Sequence, residues 1–151
     1  MIATSSDDIQ VSVNYSDPDG DLETNQSLIF WYRNGNLQSN YNFMQTIPAS
    51  ATVRGDEWSV GYIPNDGTTN GIEIQSPIIT IGNSMPTVSS IALTENPTAL
   101  SPLELSIETD DFDSDELTIT LQWMRDGFHL GALDNFTSVP VEWLAVGQSW
   151  A

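Results

Sequence analysis

The sequence predicts an all-β chain made of two tandem β-sandwich repeats, the second stopping short of its C-terminal strands. Two observations carry that prediction. Apolar residues alternate with polar ones in short runs punctuated by turn residues, and the pattern of the first part returns 92 residues later. Period-two alternation marks strands buried on one face, and many short strands with regular turns imply a sandwich rather than an open sheet.

The alternation runs through Val11 and Val13, Ile29 and Trp31, then Trp58, Val60 and Tyr62, Ile72 and Ile74, Ile79 and Ile81. It continues with Leu105 and Ile107, and with Leu117, Ile119 and Leu121. Strands are therefore expected in the first copy at 11–15, 28–33, 36–39, 51–54, 57–63 and 71–81, and the second copy opens with an extra one at 88–93. Between them stand "DPDG", "RNGN", "NDG", "TNG", "ENP" and "RDG", which are turn signals, and no segment sustains a helical stripe.

The repeat is read from "WYRNG" and "WMRDG", whose Trp31/Trp123, Arg33/Arg125 and Gly35/Gly127 are 92 residues apart. The same offset joins Pro48 to Pro140, Gly55 to Gly147 and Trp58 to Trp150. Upstream of the tryptophans the offset becomes 94, laying "VSVNYSDPDGD" on "LSIETDDFDSD". The boundaries expected are 1–84 for the first repeat, which lacks the strand equivalent to "TVSSIAL", and 85–151 for the second, which lacks counterparts of "VGYIPNDGTTNGIEIQSPIITI". A window from a longer tandem array, with Met1 as an expression start, explains both gaps. Alternatively, a neighbouring chain supplies the missing strands in a fibre, because open sheet edges accept added strands.

Trp31 and Trp123 fall in the central strand and read as core. Arg33 and Arg125 follow two residues on, so each is expected to pair with a local carboxylate. Phe30 and Tyr32 point the other way, under a neighbouring strand or towards a partner.

Composition narrows function. The chain holds 21 acidic residues, three arginines and no lysine, for a formal net charge of -18. Nucleic acid and anionic membrane surfaces repel such a surface, whereas metal cations are drawn to it. Without cysteine there is no disulfide framework and no thiolate metal site; without lysine, no amine nucleophile and no isopeptide crosslink. The longest apolar run, "LIFWY", is far too short to span a bilayer, and "MIATSSDDIQ" shows no signal peptide. His129 is the single histidine, no G-x-S-x-G elbow or phosphate-cradling glycine loop occurs, and pairs such as Asp56/Glu57 arise readily among 21 acids. The chain is therefore not expected to be an enzyme. Asn14, Asn25 and Asn135 head N-x-S/T sequons open to glycosylation on a secreted chain.

The acidic loop "SDPDGDLE" places Asp17, Asp19 and Asp21 at alternating positions, and the repeat returns them as Asp111, Asp113 and Asp115. Calcium takes six to eight oxygens, and alternating aspartates deliver several to one point. Pro18 and Gly20 equally suit an ordinary tight turn, so one loop alone reads either way. Its recurrence where sandwich domains meet end to end favours calcium.

"LTENPTALSPLELSIETDDFDSDELTITLQW" resembles the opening of a cadherin-like repeat, and "WSVGYIPNDGTTNGIEIQSPIITIGNSMP" resembles the end of one. "SDPDGD" through "WYRNG" is similar to Ig-like repeats of large bacterial and archaeal surface proteins, including polycystic-kidney-disease-type domains. The resemblance implies tandem Ig-like/cadherin-like sandwiches with calcium between successive domains. It assigns Asp17, Asp19 and Asp66 as ligands at the far end of the first copy, and Asn83, Glu95, Asp111 and Asp113 at the junction, with Asp21 and Asp115 as further ligands. The acidic linker of that family is reduced here to "GNSMP".

The function expected is that of an extracellular, cell-surface stalk, fibre or adhesion segment stiffened by calcium, whose partners are neighbouring repeats, identical chains, other surface proteins or glycans. The alternatives are a binding module for carbohydrate or protein, and a fibre subunit completed by strand exchange.

Overall fold

The computed structural model describes residues 3–151. Among them the chain is all-β, with antiparallel strand ladders, four 3-10 turns and no α-helix. Among the described residues no helix is long and apolar enough to cross a membrane. The chain divides into two compact units, Met1–Ser84 and Met85–Ala151.

The first unit contains β1 (Ile9–Gln10), β2 (Leu28–Arg33), β3 (Asn36–Leu37), β4 (Thr46–Ile47), β5 (Glu57–Ile63), β6 (Ile74–Gln75) and β7 (Ile79–Thr80). One sheet runs β3-β2-β5-β6, with β7 also on β5, while β1 pairs with β4. Along β2 and β5 the register is unbroken, from Leu28 opposite Ile63 to Arg33 opposite Trp58. Alternation then puts Ile29, Trp31, Trp58 and Val60 inward, where they meet Ile9, Ile47 and Ile81 in one buried cluster. The Trp31 and Trp58 rings meet edge-on, centroids 6.3 Å apart, a favoured aromatic geometry. Trp31 Nε1 donates to the Met44 carbonyl at 2.8 Å, so its polar edge is satisfied inside the core.

The second unit contains β8 (Thr87–Leu93), β9 (Leu103–Asp110), β10 (Met124–Arg125), β11 (Phe128–His129) and β12 (Ser138–Val139). Its sheet order is β12-β9-β8, and β10 pairs with β11. Leu103, Trp123, Leu133 and Val139 form its buried centre.

Both sequence offsets reappear as geometry. Tyr32 faces Leu37 and Arg33 faces Asn36; 92 residues on, Met124 faces His129 and Arg125 faces Phe128. Ile9 faces Ile47 as Leu103 faces Val139, one partner shifted by 94 and the other by 92. Trp123 Nε1 donates to the Phe136 carbonyl at 2.9 Å, as Trp31 does to Met44, and the Trp123 and Trp150 centroids are again 6.3 Å apart. Phe43 and Asn135 both adopt positive φ in the turn beneath.

Several expected strands differ, each for a physical reason. At 11–15 no ladder forms beyond the Val11 N–H bond to the Gln45 carbonyl, because among the described residues of this unit no strand takes the place that β8 has in the second. In the second unit, where β8 is present, the equivalent β9 pairs with it from Leu105 to Asp110, six residues. Residues 51–54 make no strand: Ala51 and Thr52 close 3-10 bonds onto Pro48 and Ala49, and Gly55 turns the chain at a φ of 89°. Residues 71–81 give only β6 and β7. Pro77, which lacks an N–H, interrupts them, and the Ser76 hydroxyl accepts the Val60 N–H where a ladder carbonyl would. β4 and β12 were not expected, being too short to show an alternation.

Arg33 finds its carboxylate in Asp56, Nε to Oδ2 at 2.8 Å, with the Asp56 side chain 7% exposed. Its counterpart Arg125 instead lies over the Trp150 ring, because Gln148 stands where Asp56 does.

Candidate metal site

The acidic loop is built twice on one backbone plan. In the first unit Asp17 Oδ1 accepts the N–H groups of Asp19 and Asp21 at 2.7 and 3.3 Å, and the Asp17 carbonyl accepts the Gly20 N–H. In the second, Asp111 Oδ1 accepts the N–H groups of Asp113 and Asp115 at 2.9 and 3.1 Å, and the Asp111 carbonyl accepts the Ser114 N–H. The fourth residue has positive φ in both, 86° at Gly20 and 60° at Ser114. One carboxylate oxygen of the leading aspartate is thus spent on holding the turn, and the other takes no part in it.

The two loops differ in what their carboxylates do. Asp111, Asp113 and Asp115 are half-buried and each offers an oxygen within 4.8 Å of the others. That spacing suits one calcium ion: at bonds of about 2.3–2.6 Å, two oxygens on the same ion stand at most about 4.6–5.2 Å apart. Asp111 Oδ2 is shielded from solvent and accepts no hydrogen bond. A buried carboxylate oxygen without a donor is costly, more so beside two further carboxylates, and a cation removes both penalties. The donor set is hard oxygen only, which matches calcium or magnesium and not a soft metal.

In the first unit Asp19 and Asp21 are exposed, and the carboxylates of Asp17, Asp19, Asp21 and Asp66 form no such convergent group. Asp66 does stand at the same end as the loop. Burial of the Tyr15 hydroxyl, then the charges of Asp17, Asp66, Asp21 and Glu23, push the Tyr15 phenol above its ordinary value. Asp66 itself closes a turn: its Oδ1 accepts the Thr68 and Thr69 N–H groups at 2.6 and 2.7 Å. Those bonds, Thr69 first, hold its carboxyl below the usual carboxylate range.

The remaining residues implied by the cadherin-like resemblance separate. Glu95 lies exposed in the loop after β8, next to the Leu93–Leu105 end of the β8–β9 hairpin. The Asp111 loop follows the other end, where Thr87 faces Asp110. At about 3.4 Å per residue along β8, roughly 20 Å separates them, so Glu95 does not join Asp111 and Asp113. Asn83 belongs to the first unit, at the end opposite Asp17 and Asp66. Its Oδ1 accepts from Arg54 Nη1 and its Nδ2 donates to the Ser84 carbonyl at 2.7 Å.

His129, on β11, touches Asp134 Oδ1 at 2.7 Å on the exposed surface. Tyr15, whose hydroxyl is shielded and accepts or donates no hydrogen bond, was not singled out from sequence. Its signal there was its position two residues before Asp17.

Comparison of the chain with family models, curated proteins and solved structures finds no match.

Proposed function

We propose that this chain is a segment of an extracellular tandem array of Ig-like/cadherin-like β-sandwiches, non-enzymatic, in which the acidic loop of the second unit is tuned for calcium and stiffens the array. The observation that carries the calcium part is the Asp111 loop, where three half-buried carboxylates converge and Asp111 Oδ2 is shielded with no donor. The array part is supported by the repetition of strand registers, indole hydrogen bonds and turn conformations at fixed offsets.

Residues 3–5 and Gly82 lie side by side at one end of the first unit, through Ser5 N–H to the Gly82 carbonyl and Gly82 N–H to the Ala3 carbonyl. The acidic loop and Asp66 lie at the other end, along the length of β5. The first unit thus presents carboxylates at the pole opposite the one where Gly82 leads the chain onward. Three aspartates give fewer than the six oxygens calcium takes, so water or a carbonyl completes the shell.

The test is thermal melting in millimolar calcium against chelator, for the chain and for Asp111→Asn. Calcium should raise the melting temperature of the chain, and the substitution should abolish the increment, because a ligand bound only to the folded state stabilises by mass action. Identical melting curves in calcium and chelator would sink the metal role.

A further inference from the structure

A cleft of about 380 Å³ opens in the first unit between residues 11–13, the start of β2 and the turn that precedes β4. Buried Ile29 and half-buried Val11 and Tyr62 give it an apolar floor, and the exposed residues Phe43, Glu23 and Gln45 line it from outside. Phe43 and Gln45 match Asn135 and Thr137 of the repeat, and the Val11 N–H bonds to the Gln45 carbonyl as the Leu105 N–H does to that of Thr137. The cleft therefore lies on the β4 side of residues 11–13, whereas β8 in the second unit pairs along the other edge of β9.

Phe43 departs from its counterpart in two respects. Its φ is 68°, a left-handed conformation that Asn135 tolerates and a bulky side chain rarely adopts. Asn135 also closes both backbone groups of Leu121: its N–H donates to the Leu121 carbonyl, and its Oδ1 accepts the Leu121 N–H at 3.1 Å. Phe43 repeats only the first of these, donating its N–H to the Ile29 carbonyl at 2.9 Å. In an antiparallel strand the two backbone groups of a residue point to one side, so the Ile29 N–H turns with its carbonyl away from β5 and towards Phe43. Among the described residues it meets no acceptor, although Ile29 is only 7% exposed. Buried N–H groups without partners are rare, and strained backbone clusters where ligands are clamped.

We infer that this cleft binds one pyranose ring of a neutral carbohydrate. The ligand has to offer an acceptor oxygen to the Ile29 N–H, which neither a hydrocarbon nor an ammonium head can do. It has to lie beside Glu23, whose Oε1 takes the Ser27 hydroxyl at 2.9 Å, with no basic side chain among the lining residues, so phosphates and carboxylates are repelled. It also has to cover Val11, Tyr62 and Phe43 with apolar surface. A sugar ring meets all three demands: its hydroxyls accept as well as donate, it carries no charge, and one face of C–H groups suits the negative face of an aromatic ring. The Gln45 side-chain amide, unbonded within the chain, brings a donor and an acceptor for a second hydroxyl.

The test titrates the methyl glycosides of glucose, galactose, mannose and N-acetylglucosamine into the whole 151-residue chain, read by amide resonances and hydrogen exchange. At least one should bind saturably with a Kd of about 1–10 mM, shift the Ile29 amide and slow its exchange. Phe43→Asn should weaken binding more than about tenfold and raise the melting temperature, because it removes the ring and closes the Ile29 N–H as Asn135 closes that of Leu121. Gln45→Ala, at an exposed side chain, should weaken binding and leave the melting temperature where it was. The inference is overturned if none of the four glycosides binds, or if the Ile29 amide of the sugar-free chain is already as protected as that of Leu121. Equal binding by either variant, a lower melting temperature for Phe43→Asn, or a shift of Ile29 as strong with butylamine or inorganic phosphate as with the best glycoside also overturns it.

Discussion

Asp56 is the test of how the first unit holds the end of β5, and the second unit supplies the control. Asp56 Oδ2 accepts the Val53 N–H at 2.8 Å and pairs with Arg33 at 2.8 Å, while Oδ1 takes a longer contact of 3.4 Å from Asn34. Replacing it with alanine takes the acceptor from the Val53 N–H, a part-buried bond to a charged group worth about 1.5–3 kcal/mol. The Arg33 pair adds about 1 kcal/mol or less, because the guanidinium side is 34% exposed and screened. Asp56→Ala is expected to destabilise the first unit by roughly 2–4 kcal/mol on that reckoning. Asp56→Gln should behave otherwise. At the equivalent position Gln148 Oε1 accepts the Ala145 N–H at 2.8 Å and also the Trp150 indole N–H at 3.1 Å. Trp58 Nε1 is buried in the first unit with no partner. Glutamine would keep the backbone bond, give Trp58 an acceptor, and lose the ion pair and the long Asn34 contact, for a net change within about 1 kcal/mol. Urea unfolding followed by hydrogen exchange across residues 28–63 measures both variants. Equal losses in the two would refute the argument, as would an unshifted Trp58 indole resonance in the glutamine variant.

Trp31→Phe should cost about 1–2 kcal/mol more than Trp58→Phe, since the first strands the Met44 carbonyl and the second removes an indole N–H that had no partner; denaturant midpoints compare them. Ser114→Gly should stabilise the second unit by about 0.5–1 kcal/mol, the relief of a left-handed serine less the added chain entropy of glycine; a lower melting temperature would contradict the turn assignment. Asp66 and Asp7 have carboxyl values held below 3.8 in the folded chain, chiefly by backbone N–H groups of Thr69 and Thr4. Both therefore bind protons more readily when unfolded, so their contribution is present above that value and lost as pH falls through the lowered one. Asp66→Asn should lower stability near neutrality, leave it little changed in strong acid and so flatten the profile between about pH 5 and 2; an unflattened acid limb would count against those hydrogen bonds.

Residues that recur made the repeat legible before any geometry, and the two offsets emerge as two partners shifted by different amounts in one ladder, Ile9–Ile47 against Leu103–Val139. β2 and β5 were read with the bounds they have, because six- and seven-residue alternations leave little freedom of register. What sequence could not convey is which edge has a neighbour. The same alternation is a paired strand at Leu103–Asp110 and largely unpaired at 11–15, a difference set by β8 and not by the residues themselves. The acidic loops were legible as loops, but not the convergence of carboxylates in one and its absence in the other, which follows from half-burial at Asp113 and Asp115 against exposure at Asp19 and Asp21. Glu95 was grouped with Asp111 through a short motif, and sixteen residues of sequence conceal that a hairpin carries them to opposite ends. Asp56 passed as one acid among many, although Gln148 at the matching position of the repeat marks it as a place where an oxygen acceptor is needed.

The central claim is that the Asp111 loop holds calcium, and calorimetric titration of calcium into the chain and into Asp111→Asn tests it most directly. The account predicts saturable binding in the range of about 0.1–1 mM, as for extracellular calcium modules, that disappears in the variant while its fold is retained. No binding by the unaltered chain, or binding of equal strength by the variant, would contradict it.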